Sequence, residues 1–116
     1  MRNKNSTRFF SSKQEKQIAK SIGGKVVPNS GATAFQKGDL RTDDFLIEAK
    51  TCISKKSSFS IKRQWLEKLR EEAFAMNRRH YALVFNFGPD TENFYILTEK
   101  DFKLFKELLE GGQNDR

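Results

Sequence analysis

Stretches with helical spacing alternate with stretches of strand length along this chain, and that alternation restricts its fold more than any other feature. Ser11 and Ser12 lead into a helix through Ile22, with Ser12 and Glu15 at capping-box spacing and Gly23-Gly24 to close it. Lys25 to Val27 reads as a short strand stopped by Pro28, and residues 29–33 as a loop by composition. Two strands follow at about 37–42 and 45–52, joined through the polar pair Asp43-Asp44. Beyond a serine-rich connector, Lys55 to Ser60, the positions Ile61, Trp65, Leu66, Leu69, Ala73 and Met76 repeat at helical spacing as far as Asn77. Trp65 and most phenylalanines fall at core positions. Tyr81 to Phe87 and Phe94 to Leu97 are strands separated by Gly88-Pro89-Asp90. Thr98 and Asp101 open a last helix with a second capping box; Phe102, Phe105, Leu108 and Leu109 form its buried stripe, and Gly111-Gly112 ends it. The order α-β-β-β-α-β-β-α predicts an α/β fold, a mixed sheet flanked by helices.

The 116 residues have room for one such domain. Residues 1–8 read as a flexible basic arm, 9–110 as the domain and 111–116 as a frayed end. No apolar run approaches the ~18 residues of a membrane span, and no hydrophobic stretch follows the basic Met1–Lys4. A soluble, intracellular protein is expected, with no membrane partner. Cys52 is the lone cysteine, so no internal disulfide forms, and no activating base stands near it in sequence. His80, the single histidine, follows Arg78-Arg79 and reads as part of a basic loop, not a zinc site.

Charge narrows the partner. Lys and Arg number 22 against 15 Asp and Glu, a net +7 suited to phosphate backbones. Lys55, Lys56, Lys62 and Arg63 form a basic stretch, and Arg2, Lys4 and Arg8 a basic arm, fit to hold DNA without reading its sequence. Phe9 and Phe10 beside that arm are open to a partner subunit or to stacking on an unpaired base.

The segment from Gly38 to Lys50 carries chemistry. Side chains two apart on a strand share a face, so Glu48 and Lys50 point one way and Phe45, Ile47 and Ala49 the other. If Asp43-Asp44 is a two-residue turn, Thr42 pairs with Phe45 and, counting outward, Asp39 with Glu48. Two opposed carboxylates repel unless a cation lies between them, and a hard divalent ion, Mg²⁺ with Mn²⁺ as substitute, answers to oxygen ligands. Such an ion polarises a phosphoryl oxygen and acidifies water, while Lys50 orients that water or stabilises developing charge.

Asp39 followed by Glu48-Ala49-Lys50 resembles the signature of the PD-(D/E)XK nucleases, with Lys37-Gly38 standing where that family often has proline before the first aspartate. The resemblance implies a restriction-endonuclease-like fold. Within the superfamily the chain is most similar, over roughly residues 9–98, to the small Holliday-junction resolvases of archaea and some phages. That similarity implies an acidic residue of the first helix, Glu15, near the metal; a serine of the following loop, Ser30, in catalysis or phosphate contact; and a polar residue beyond the lysine, Gln64, at the site. It also implies a homodimer, in the cytoplasm (the host's, if phage-encoded), cutting two strands of a four-way junction in recombination or repair. The alternatives are a nuclease of this fold with a repair, replication-fork or restriction substrate, and a basic DNA-binding domain without turnover.

Overall fold

The structure, a computed structural model, describes residues 7–26 and 40–114, with side chains described for 13–26 and 40–111. Helix α1 (Thr7–Ile22) leads to strands β1 (Lys25–Val26), β2 (Leu40–Arg41) and β3 (Phe45–Lys50), then α2 (Arg63–Ala75), β4 (His80–Phe85), β5 (Phe94–Ile96) and α3 (Glu99–Asn114). This is the predicted order, and the five strands form one mixed sheet in sequence order. The β1–β2, β2–β3 and β4–β5 pairs are antiparallel, and β3–β4 is parallel with α2 as the crossover between them. Among the described residues no helix is long and apolar enough to cross a membrane.

The sheet buries both faces. On one, Ile18 of α1 packs with Leu40, Ile47, Ala82 and Val84, joined by Phe45 and Ala49. On the other, Leu69 and Ala73 of α2 pack with Leu46 and Leu83, joined by Trp65, Leu66 and Phe85. β3 and β4 lie between these layers, so each contributes alternate side chains to both cores.

The turn at Asp43-Asp44 is two residues long. Leu40 pairs with Ile47 and Arg41 with Leu46, the register expected from Thr42 opposite Phe45. The Thr42 N–H donates to the Phe45 carbonyl at 3.0 Å, and the Phe45 N–H donates to the Thr42 hydroxyl at 3.1 Å. Neither aspartate takes a positive φ; the Thr42 side chain closes the turn instead. Arg78 donates from Nε to the Thr42 carbonyl at 2.9 Å and so ties the turn to the α2–β4 junction.

Several boundaries differ from the sequence reading. α1 starts at Thr7, so Ser12 lies well inside it. Ser12 therefore does not cap the helix, because N–H groups there already have partners in the preceding turn. β3 ends at Lys50 rather than residue 52: Gln14 of α1 donates from Nε2 to the Lys50 carbonyl at 3.2 Å and accepts from the Thr51 hydroxyl, drawing the chain off the sheet. Cys52 is consequently buried beside Gln14, Thr51 and Asn86, away from Lys50's face. His80 is not a loop residue. It opens β4 and donates from Nδ1 to Asp101 at 2.7 Å. The Thr98–Asp101 cap is half formed: the Asp101 N–H donates to the Thr98 hydroxyl at 3.1 Å, while the Asp101 carboxylate serves His80. α3 runs on through Gly111-Gly112 to Asn114, and Phe102, Leu108 and Leu109 are not its buried stripe: they are 61%, 67% and 72% exposed.

Candidate active site

Glu48 and Lys50 leave β3 on the α2 side, where they line a cavity of about 410 Å³ with Gln64, Trp65, Lys68, Leu69 and Glu72. The parity argument thus holds for both residues, and Gln64 lines the same cavity. Lys50 Nζ stands 3.4 Å from Glu48 Oε2 and 4.1 Å from the centre of the Trp65 ring. An indole face attracts an ammonium through its quadrupole, worth about 0.5–2 kcal/mol by degree of desolvation. Trp65 is therefore more than a core residue: one part packs with Leu46 and Leu69, and its face holds Lys50 toward Glu48.

Gln14 fastens α1 to the end of β3, and Glu15 is its neighbour. The Glu15 carboxyl is raised above its ordinary value of 4.5, first by burial and then by the negative charge of Glu48. Glu15 and Glu48 therefore share one electrostatic neighbourhood, and the alternative account of Glu15 as a capping residue is removed by the helix start at Thr7. A carboxyl whose pKa is raised on folding binds its proton more tightly in the folded than in the unfolded chain, so its contribution to stability falls as pH rises from the ordinary carboxylate value toward the raised one. Replacing Glu15 by Gln removes this fall. Thermal melts without divalent ions are expected to show E15Q the more stable at neutral pH and equal to wild type below about pH 4. A variant less stable at neutral pH would mean that the carboxylate is not crowded.

A divalent cation fits this donor set. Carboxylate oxygens are the ligands hard ions take, and the crowding at Glu15 is what a cation between two acids relieves. Among the described residues no three His, Cys, Asp or Glu side chains converge, so Glu48 and Glu15 could by themselves supply only part of a cation's ligand shell. Asp39 and Ser30 lie outside the described residues, as do Arg2 and Lys4. Arg8 belongs to the first turns of α1, its side chain outside the described set.

The basic stretch approaches the cavity through Lys62. Lys55, Lys56, Lys62 and Arg63 are exposed, and Lys62, the N-cap residue of α2, holds Nζ 5.8 Å from the Trp65 ring centre. Phe59 stacks on Phe85 with ring centres 4.8 Å apart and pins the connector that carries these lysines. At the loop's other end the Lys56 N–H donates to the Phe87 carbonyl at 2.9 Å, and Gly88 lets Lys55 pass: a Cβ there would stand 2.9 Å from Lys55 Cα, at φ +148°.

Two site residues escaped the sequence reading. Lys68 and Glu72 continue the row begun by Gln64, each four residues on, and Glu72 is only 8% exposed with Lys68 Nζ at 3.8 Å. The signal was present, since i, i+4 polar residues share a helix face, but nothing in sequence said that this row faces β3. No family model, curated protein or solved structure matches the chain.

Proposed function

We propose that this chain is a Mg²⁺-dependent DNA endonuclease of the PD-(D/E)XK type, selective for branched DNA such as a four-way junction and acting as a homodimer. One observation carries the reading: Glu48 and Lys50 stand side by side on β3 in a cavity that Gln64, Trp65 and Lys68 also line, with Glu15 in the field of Glu48. In this reading Glu48 and Glu15, with Asp39, hold the ion. Asp39, outside the described residues, is assigned from the sequence: extending the Leu40–Ile47 register by one step would set it opposite Glu48. Bound there, Mg²⁺ supplies charge neutralisation at the phosphate and acidifies water.

The chain's own groups do the rest. Lys50 presents an ammonium, steered by Trp65, to the attacking water or to the phosphoryl oxygen as charge builds on it. Gln64 offers an amide for the same water or phosphate, and Ser30 is assigned to phosphate contact by resemblance. Lys55, Lys56, Lys62 and Arg63 hold the strand without choosing its sequence.

The test is cleavage by the purified protein, in Mg²⁺ and in Mn²⁺, of four-way junctions, flaps and linear duplexes of matched sequence. Symmetric nicks across the junction are the expected result. Equal cleavage of all substrates would leave a nuclease of another class. A second reading, a basic DNA-binding domain without turnover, draws on the Glu48–Lys50 contact at 3.4 Å, in which the two charges already satisfy each other. Tight junction binding with no nicking in either metal would select it.

A further inference from the structure

A groove of about 1000 Å³ opens between the C-terminal half of α2 and the start of α3, and the first residues of β4 line it too. It is more than twice the size of the cavity of Glu48 and Lys50 and lies across α2 from it. Gln64 and Lys68 line the one, Arg70 and Phe74 the other, and Arg70 stands about 200° around the helix from Lys68. The groove is basic. Arg70, Arg78, Arg79 and Lys100 line it, and the only acid lining it among the described residues is Asp101, 3% exposed and already bonded to His80. Elsewhere on these helices a cation meets an acid four residues away, as in Arg63–Glu67, Lys68–Glu72, Lys103–Glu99 and Lys106–Glu110. Arg70 and Lys100 have Phe74 and Leu104 at that spacing instead, and among the described residues neither enters an ion pair.

The remaining two cations differ in freedom. Arg78 donates to the carbonyls of Thr42 and Met76, which fix its guanidinium in place. Arg79 reaches Asp44 at 3.4 Å, but both side chains are more than half exposed, and such a pair yields readily to a phosphate. Charge of this kind selects an anion, and Phe74 selects which. Its ring is 84% exposed, one helical turn beyond Arg70. An aromatic face open to water beside a guanidinium is a platform for an unpaired base, whereas the bases of a duplex keep their faces stacked on one another. Asn77, Tyr81 and Thr98 bring an amide and two hydroxyls to the same groove, the groups that meet base edges. We infer that this groove binds an unpaired nucleotide, with its phosphate on Arg70, Arg79 and Lys100 and its base on the ring of Phe74. An acidic peptide would use the cations and leave Phe74 without a role. The volume is at the upper end of the ~300–1,000 Å³ of ligand pockets, so a nucleotide within a strand is the expected source.

This assignment does not rest on the nuclease reading, because its test needs neither metal nor turnover. The probe is a short labelled oligothymidylate, titrated with the full chain in a chelator and followed by fluorescence anisotropy. F74A is expected to weaken binding about 10-fold or more, with melting temperature unchanged, since the ring is already in water. R70A/K100A weakens it too and flattens the plot of log affinity against log salt by about 1.4, at ~0.7 for each lost single-strand phosphate contact. An abasic strand of equal length binds more weakly than oligothymidylate and is indifferent to F74A. Competition by adenosine monophosphate tells the sources apart: weak competition assigns the groove to a strand, and competition at equal affinity to a free nucleotide. Oligothymidylate binding that ignores F74A, an abasic strand bound as tightly, or a polyglutamate peptide that outcompetes both overturns the proposal.

Discussion

Replacing Lys50 by alanine is expected to lower cleavage by about 10²–10³-fold while leaving junction affinity nearly unchanged. The ammonium is held 3.4 Å from Glu48 and 4.1 Å from the Trp65 ring centre, only partly open to water. A charge so placed acts in a less polar medium than bulk solvent, which is why one amine is worth so much there. In the proposed reading DNA affinity draws on the exposed lysines of the connector and the start of α2, which the substitution does not touch. Metal affinity should rise, because Lys50 competes with the ion for Glu48. Single-turnover cleavage with a separate binding assay checks both halves; a K50A protein that cuts at the wild-type rate would remove Lys50 from the mechanism.

The largest expected effect on stability lies at the opposite end of the sheet. Replacing His80 by leucine should cost about 3 kcal/mol, because it leaves the Asp101 carboxylate, 3% exposed, without the ring nitrogen that satisfies it at 2.7 Å. Replacing both residues by leucine should cost less than the sum of the single changes, the coupling expected of a direct buried pair. Denaturant melts of the two single variants and the double variant measure it. Strict additivity would show that His80 and Asp101 contribute separately.

Much of this fold was legible from the residues alone, and the reason is patterning. The two-residue turn at Asp43-Asp44 and the alternation of Phe45 to Lys50 fixed a register that the Leu40–Ile47 pair matches. The same parity put Glu48 and Lys50 on one side. What remained hidden were contacts between distant segments. Nothing local announces that Gln14 ends β3, that His80 seeks Asp101 or that Trp65 lies beneath Lys50. The apolar stripe of α3 was read as buried, since periodicity reports an amphipathic face but not what covers it. Ser12 misled in a similar way, because capping-box spacing recurs inside helices where no free N–H remains.

The account turns on acids from α1 and β3 sharing a cation beside Lys50, and calorimetric titration with Mn²⁺ tests this most directly. Wild type should bind with a dissociation constant that E48Q weakens by an order of magnitude or more, and binding should release protons near the range where Glu15 titrates. Wild type and E48Q binding Mn²⁺ equally, or neither binding it, would contradict the account.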